Sequence, residues 1–488
     1  MGLSSRKSLE TCLDEAFAES RARLPRSLGV VSLTAFGVGC TVGAGIFSLT
    51  GEIAAHQAGP AVSLSFLLAS CACFFAGLCY AELAAMVPLA GSAYSYAYVT
   101  LGELVAWCIG WSLVLEWGLA ASAVAVSWSG YTQAALADLG WRLPAVLTQA
   151  PISAEPHWHL TGGWFDFPAV LVVLACTALP LAGMRTSAAV NDVLVIAKVA
   201  ALVVLVVVGI RYVNPAHWHP FIPANQGHFG AFGWSGVLQG AGTLFFAYVG
   251  FDGVATLAED ARDPQRTLPR SLFASLLICT LLYVSVSLVV TGLADYRSLG
   301  VPDPLYQALA GAHAALGPVQ ALIGTVAILG LVPVVLASVV GQARIFYSMA
   351  RDGLLPPSFA RLGRRSATPV MGTLVTGVLA AAIAGLVPLA ILGELISIGT
   401  LLAFVVVCVG VVILRRTAPG ARRPFRTPWV PLVPALGVLS CSLLIYSLGW
   451  GNWLRLIVWM LIGLVIYERY GRRHSRLRHA RAAAAQPG

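Results

Sequence analysis

Charged residues are scarce in this sequence, and lysine is almost missing. Asp, Glu, Lys and Arg make up 10% of the 488 residues, whereas soluble globular proteins carry about 25%. Hydrophobic residues make up 58%, and they recur in long uninterrupted runs. Runs of about 20 apolar residues predict membrane-spanning α-helices, while the strands of an outer-membrane barrel would alternate apolar and polar residues. The composition therefore indicates an all-α membrane protein.

Signatures of several other protein classes are missing too. The ten cysteines show no spacing typical of a metal or redox site, so we interpret them as small apolar residues within helices. The predicted helices contain no histidine, with His56 just beyond the end of the first, and no cluster of carboxylates, which argues against a membrane-embedded enzyme. The sequence has no GxxxxGK[ST] motif for ATP, and no segment resembles a channel filter. We therefore expect no enzyme activity, no cofactor and no metal.

Twelve apolar segments are long enough to cross a bilayer. They are residues 28–55, 58–87, 103–137, 166–184, 188–210, 234–258, 270–294, 317–350, 369–387, 390–415, 430–449 and 451–469. If both termini are cytoplasmic, 25 of the 30 Lys and Arg residues lie in inner segments, which satisfies the positive-inside rule. The sequence thus predicts a multi-pass protein of the cell inner membrane. The inner basic residues also account for the net charge of +9 without a nucleic-acid partner.

Glycines interrupt two of the predicted helices. Four glycines lie within nine positions of the first helix, and a Gly-Phe-Asp-Gly run occupies positions 250–253 of the sixth. One such cluster could simply allow close helix packing. Corresponding interruptions in two halves of a chain indicate an inverted-repeat transporter with its substrate site at the breaks. An unwound stretch exposes N–H groups that attract an anion and C=O groups that attract a cation, which suits a zwitterion such as an α-amino acid.

The two lysines of the chain are Lys7 and Lys198, and every other basic residue is an arginine or a histidine. Lys198 lies near the middle of the predicted helix 188–210, where a charged side chain costs about 2.5–3.5 kcal/mol. A lysine can lose its proton when it is buried, and an arginine cannot. This difference suggests that Lys198 is kept for a reason other than its charge.

Five long motifs resemble a known family. They are GCTVGAGIFSLTG, LCYAELAAMVPLAGSAYSYAYVTLGELVAWCIGWSLVLEW, FFAYVGFDGVATLAEDARDPQRTLPRSL, GQARIFYSMARDGLLPPSFA and ELISIGTLLAFVVVCVGVVILRR. They are similar to the cationic amino acid transporter branch of the amino acid–polyamine–organocation superfamily, in its bacterial twelve-helix form. The resemblance extends from about residue 25 to residue 470.

The resemblance implies 12 transmembrane helices with a five-plus-five inverted-repeat core. Helices 1 and 6 would be discontinuous, and two extra C-terminal helices would follow the core. The expected divisions are a cytoplasmic N-terminal segment at 1–27, a first repeat at 28–210, an outer loop and second repeat at 211–415, helices 11 and 12 at 416–469, and a basic cytoplasmic tail at 470–488. We expect this tail to be disordered.

The resemblance also implies a substrate site at the two breaks. The expected site residues are Thr41, Gly43, Ala44 and Gly45 in helix 1 and Phe246, Ala247 and Val249 in helix 6. By the family pattern, the backbone at Ala44 and Gly45 would bind the substrate carboxylate. The backbone carbonyls of Thr41, Phe246 and Val249 would bind the α-ammonium, and the Phe246 ring would cover the site.

Two carboxylates, Glu116 and Asp252, lie deepest in the predicted core. Either could pair with a cationic substrate, but each could instead bond to backbone N–H groups freed by the breaks. The family includes transporters of cationic and of small neutral amino acids, and both substrate classes stay open at this point.

Lys198 acquires a role from the resemblance. In proton-using members, a lysine at this point of helix 5 lies against the break of helix 1, where sodium-coupled relatives hold an ion. We predict that protonated Lys198 donates to carbonyls of that break and releases them when it loses its proton; the alternative is a permanently charged brace. Helix 8 carries Val332 and Pro333 where relatives have Thr-Ser, which argues against a sodium site. Pro333 also predicts a kink beside the substrate pocket.

These observations predict a proton-coupled secondary transporter that imports α-amino acids by alternating access. The alternative is an exchanger that trades one amino acid or amine for another without net proton use. The expected partners are the amino acid substrate and the lipid bilayer, and the sequence leaves the oligomeric state open.

Overall fold

The computed structural model describes residues 28–87, 92–153, 159–183, 188–256, 261–363 and 368–479. The predicted N-terminal segment and the last nine residues of the predicted tail lie outside these ranges. Within them, seven helical stretches are long and apolar enough to cross a membrane. They are Gly45–Met86, Glu103–Asp138, Val190–Tyr212, Gln265–Leu293, Ala314–Arg351, Leu389–Thr417 and Trp450–His474, and four shorter apolar helices accompany them. The prediction of a mainly helical membrane protein is confirmed.

The first half of the chain contains an interrupted helix, which is the first helix that the structure describes. Its described helices are α1 (Val30–Thr41), α2 (Thr50–Ile53), α3 (Val62–Met86), α4 (Ser92–Thr100), α5 (Glu103–Leu113), α6 (Leu119–Asp138), α7 (Phe167–Leu181) and α8 (Ala188–Gly209). Helical turns of π type at Gly45–Leu49 and Ala54–Ala58 flank α2, and a third at Val114–Gly118 joins α5 to α6. A short antiparallel pair, β1 (Ile152–Ser153) and β2 (His159–Leu160), lies between α6 and α7 and aligns Ile152 with Leu160.

The second half contains the other interrupted helix. Its described helices are α9 (Gly233–Leu244), α10 (Gly253–Thr256), α11 (Pro264–Leu293), α12 (Pro304–Ala312), α13 (Gly317–Arg351), α14 (Val370–Leu386), α15 (Leu389–Thr417), α16 (Leu432–Ser447), α17 (Trp450–Ile466) and α18 (Arg472–His474). A 3₁₀ turn at Phe245–Tyr248 follows α9. Each apolar segment predicted from the sequence contains helix, and α4 and α12 are additional helices of nine residues each.

The helices pack in two sets. The first set consists of α1, α3, α9 and α11, with α3 and α1 both packed on α11 and α9 packed on α3. The second set consists of α6, α7, α13 and α14, with α6 packed on α13 and α7 packed on α14. Small residues allow close helix contacts where lipid offers no hydrophobic driving force. In the second set, a Cβ at Gly377 of α14 would lie 2.1 Å from the Thr177 hydroxyl of α7.

A buried glutamate ties the end of α3 to the end of α15. The Glu82 carboxylate is 1% exposed and accepts hydrogen bonds from Arg415 at 3.1 and 2.7 Å. It also accepts the backbone N–H of Thr427 at 2.7 Å. Charge-assisted bonds of this kind are stronger than neutral ones, so the segment after α15 is held against the helix ends.

A second buried glutamate, Glu103 at the start of α5, holds the segment after α17. It accepts hydrogen bonds from Tyr467 Oη at 2.8 Å and from Arg478 Nε at 2.8 Å, and a further one from the Ser475 hydroxyl. Residues 470–479, the described part of the predicted tail, are therefore folded against the helices rather than disordered.

Candidate functional site at two helix breaks

The first break follows α1. The helix ends at Thr41, Val42 has an extended backbone with ψ of 90°, and helical structure resumes at Gly45. The N–H groups of Ile46 and Phe47 both point back to the carbonyl of Gly43, at 3.2 Å each. The first N–H groups of a helical segment have no acceptor within it. The segment that starts at Gly45 therefore presents backbone donors at the break.

The second break follows α9. After the 3₁₀ turn, Val249 is extended, with φ of −59° and ψ of 132°, and Gly250 has φ of +109°. A residue with a side chain rarely adopts this φ, and a Cβ at Gly250 would lie 3.0 Å from the carbonyl of Cys40. Ser397 of α15 caps the turn, because its hydroxyl donates to Thr243 O at 2.9 Å and accepts the Phe246 N–H at 3.0 Å. Both interruptions that the glycines predicted are present.

The two breaks are in direct contact. A Cβ at Gly45 would lie 2.3 Å from Ala247 Cβ and 2.4 Å from Ala247 Cα, so only a glycine allows this approach. Tyr283 of α11 lies behind both, with its hydroxyl 2.8 Å from Thr41 O and 2.9 Å from Ala247 O. One hydroxyl proton therefore serves two carbonyls, one from each break.

A small cavity lies between the breaks and the second helix set. Its volume is about 30 Å³, which is room for about two water molecules. The described residues that line it are Cys40, Thr41, Gly43, Ala44, Gly45, Trp117, Ala120, Val124, Phe246, Val249, Gly250, Val334, Ala337 and Ser338. Six of the predicted site residues are among them, and the seventh residue of the two breaks, Ala247, packs behind them on Gly45.

The two predicted carboxylates lie next to the cavity. Glu116 precedes the lining residue Trp117, and Asp252 follows Gly250, but neither is among the described residues that line the cavity. Each is 1% exposed, and the two are close enough to interact electrostatically. Asp252 accepts a hydrogen bond from Tyr80 Oη at 3.4 Å. A role in pairing with substrate stays a prediction for both.

Lys198 reaches the first break from α8. Its ammonium, 1% exposed, donates to Gly39 O at 2.8 Å and to Val42 O at 2.9 Å. Its aliphatic stem lies against Gly330 of α13, where a Cβ would come within 2.6 Å of Lys198 Cγ. The ammonium therefore contacts the first helix set, while the stem packs against the second.

Val332 and Pro333 lie in a helix that is continuous from Gly317 to Arg351. Gly330, which packs on the stem of Lys198, precedes them by two and three residues on the same helix. The Val332 carbonyl lies 3.7 Å from the Cys176 thiol of α7.

Four contributors to the site had no clear sequence signal. Tyr283 and Ser397 come from helices far along the chain, and Trp117 belongs to the π turn before α6. Ser338 of α13 lines the cavity and donates to Val334 O at 2.9 Å.

A larger cavity of about 390 Å³ lies nearer the C-terminal end of α6. Its lining includes Gly130 and Gln133 of α6 and Asp166, the residue before α7. A contact among the hydroxyls of Ser48 and Ser127 and the carbonyl of Pro302 lies between the two cavities. Ser48 follows Gly45 by three residues and Ser127 follows Val124 by three, and Gly45 and Val124 both line the small cavity.

A family model described as amino acid permease matches residues 28–466. The chain is 42% identical to the methylthioribose transporter of Bacillus subtilis (strain 168), over 97% of this chain and 99% of that protein. It is also 42% identical to the branched-chain amino acid permease BcaP of the same organism, over 97% and 98% of the two chains. Identity to the vacuolar cationic amino acid transporter 4 of Arabidopsis thaliana is 32%, over 94% of each chain. These relatives are named transporters or permeases, as the sequence predicted.

Proposed function

The chain belongs to the amino acid permease family, and on that premise we propose that it imports α-amino acids as a proton-coupled secondary transporter. The observation that carries this proposal is the cavity between the two helix breaks on one side and α6 and α13 on the other. Backbone N–H groups at Ala44 and Gly45 offer a site for the substrate carboxylate. The carbonyls of Thr41, Phe246 and Val249 offer acceptors for the α-ammonium. Those of Thr41 and Phe246 already accept one hydrogen bond each, and a carbonyl oxygen has two lone pairs.

The proposed architecture has twelve spans in a five-plus-five inverted-repeat core with two further helices. Its support is the position of the two breaks, one near the start of residues 28–210 and the other near the start of residues 211–415. The seven long and four short apolar helices account for most of the spans, and the helix broken after Leu244 supplies the other. Placing both termini in the cytoplasm of a bacterial cell puts most basic residues on the inner side.

Transport would proceed by alternating access between the two helix sets. The small cavity is lined by both sets, with Gly43 to Gly45 on one side and Val124 and Val334 on the other. A rocking motion of one set against the other would open the cavity to alternate faces of the membrane. The contact of Ser48 with Ser127 and Pro302 would then separate when the cavity opens toward the larger one.

Lys198 would couple this motion to a proton. The protonated ammonium makes two charge-assisted bonds to the break of α1, while its stem packs on α13 of the opposite set. Loss of the proton would weaken both bonds and release the break from α8. We propose the proton as coupling ion and no cofactor, since the chain keeps lysine here and has no hydroxyl at Val332 or Pro333.

Uptake into proteoliposomes tests the proposal. An inward proton gradient should drive accumulation of a labelled amino acid in vesicles that contain no internal substrate, and Lys198→Ala should abolish the effect of the gradient. If uptake instead requires internal amino acid and ignores the gradient, the protein is an exchanger. Methylthioribose is the second candidate substrate, because one relative named for it shares 42% identity over 97% of the chain. Uptake of methylthioribose without uptake of any amino acid would overturn the proposal.

A further inference from the structure

We infer that the substrate carries a neutral aliphatic side chain of about the size of valine or isoleucine, and that Val334 with Val124 sets this preference. The inference rests on the proposed function and concerns the part of the cavity that faces away from the two breaks. Two relatives are named for different substrates, methylthioribose and cationic amino acids. Either of these substrates would need polar protein side chains in that part of the cavity.

The wall opposite the breaks is built from small apolar side chains. Ala120 and Val124 are four residues apart on α6, and Val334 and Ala337 are three apart on α13, so each pair lies on one face of its helix. The one hydroxyl of this wall belongs to Ser338, which already donates to its own helix at Val334 O. The wall therefore offers mainly apolar contact, and Trp117 beside it keeps an indole N–H without a hydrogen-bond partner among the described residues.

Two valines stand directly beside the proposed position of the substrate backbone. A Cβ at Gly43 would lie 3.5 Å from Val334 Cγ1 and 3.9 Å from Val124 Cγ2. Gly43 immediately precedes Ala44, where the substrate carboxylate is proposed to bind. The side chain of a bound amino acid that extends from the break toward α6 and α13 therefore meets two isopropyl groups first.

Charge argues against a cationic side chain at the same place. Two carboxylates, Glu116 and Asp252, lie next to the cavity, but the described residues that line it include no carboxylate. Lys198 bonds to the carbonyls of Gly39 and Val42, and these two residues flank the lining residues Cys40 and Thr41. The Lys198 ammonium thus lies directly behind the part of the lining that belongs to the first break. A second cation would lose its hydration and meet a like charge.

Size sets an upper limit. In this conformation the cavity has a volume of about 30 Å³, and the Trp117 ring is part of its lining. The ring packs closely on Gly341 of α13, where a Cβ would be 2.6 Å from it. An aromatic side chain would have to displace this ring. A branched side chain of three or four carbons needs a smaller expansion, and each methylene that it buries favours binding by about fourfold.

Competition binding on the purified full-length protein tests the inference. Labelled L-isoleucine is displaced by unlabelled valine, leucine, alanine, lysine, arginine and phenylalanine. Valine should compete about 15-fold better than alanine, which has two carbons fewer, and lysine, arginine and phenylalanine should compete worse than alanine. Stronger competition by lysine or arginine than by valine would overturn the inference and leave amino acid transport standing. Failure of every amino acid to bind would instead overturn the proposed function.

The role of Val334 is tested with Val334→Ala, and Val332→Ala is the matched control two residues away on the same helix. Removing two methyl groups from the wall should raise the affinity for leucine and phenylalanine relative to valine by about fourfold or more. The control variant should keep the wild-type order of affinities. Thermal unfolding checks that both variants fold. If a folded Val334→Ala variant binds the amino acids in the same order of affinity as the wild type, the assignment of Val334 is overturned. If that variant does not fold, the competition series on the wild-type protein decides the substrate class by itself.

Discussion

The contact between the two breaks can be tested with one methyl group at Gly45. A Cβ there would lie 2.3 Å from Ala247 Cβ and 2.4 Å from Ala247 Cα, whereas carbon atoms in contact prefer a separation of about 3.5–4.0 Å. Gly45→Ala must therefore push the two breaks apart by about 1 Å. Overpacking of this kind costs about 1–3 kcal/mol. If the substrate-bound state keeps the breaks together, affinity for the amino acid should fall by roughly 5- to 150-fold.

Gly77→Ala is the matched control for this change. It adds the same methyl group to a buried position of α3 outside the lining of the cavity, where the nearest side-chain atoms are at the ordinary contact distances of 3.5 and 3.9 Å. Neither glycine has a positive φ, so neither variant strains its own backbone. Ligand binding and thermal unfolding are measured for both proteins. Binding that is unaffected in Gly45→Ala, or lost more in Gly77→Ala, would refute the idea that close contact of the breaks shapes the site.

Three further predictions concern other parts of the molecule. Gly330→Ala should displace the stem of Lys198, so proton-driven uptake should fall while substrate exchange persists; an equal loss of both would contradict the proposed coupling. Glu103→Ala removes a fully buried carboxylate from its pair with Arg478, which is 19% exposed, and should lower the free energy of unfolding by about 3 kcal/mol. Glu468→Ala, in a half-exposed pair, should lower it by under about 1 kcal/mol, and similar losses in the two variants would argue against a tail held by Glu103. Burial raises the pKa of Asp303, in the loop before α12, to about 6. The folded state therefore binds the proton of the Asp303 carboxyl more tightly than the unfolded state does, and stability falls as pH rises from about 4 to about 6. Asp303→Asn should raise the melting temperature at pH 7 and leave it unchanged near pH 4, and a pH-independent effect would contradict this account.

Hydropathy and glycine placement are enough to predict most of the fold. Apolar runs of membrane length reveal the long helices because the bilayer demands internally bonded backbone. The same reasoning misses α4 and α12, which are nine residues long and too short to cross a bilayer. The breaks are predictable because glycine allows the backbone of a membrane helix to unwind. Glycines at corresponding places in the two halves of the chain indicate that the two unwound stretches form one site. Which backbone groups each break bonds to depends on distant helices, as Tyr283 and Ser397 show.

The chemistry of its side chain predicted the place of Lys198 better than helix spacing did for its neighbours. Lys198 stood out because a buried amine is costly, and its contacts with Gly39 O and Val42 O match the expected place. Gly330 of α13 packs against its stem. Nothing in the sequence indicated this contact, because one sequence does not fix the register between neighbouring helices.

The central claim is that the cavity recognises both charged ends of an amino acid. It is tested most directly by calorimetric binding of the best-binding L-amino acid, its decarboxylated amine and its deaminated acid, which for valine are isobutylamine and 3-methylbutanoate. Each missing end removes a charged hydrogen-bonding group worth about 1.5–3 kcal/mol. The amine and the acid should therefore each bind at least about tenfold more weakly than the amino acid. Binding of either analogue as tight as that of the amino acid would contradict the claim.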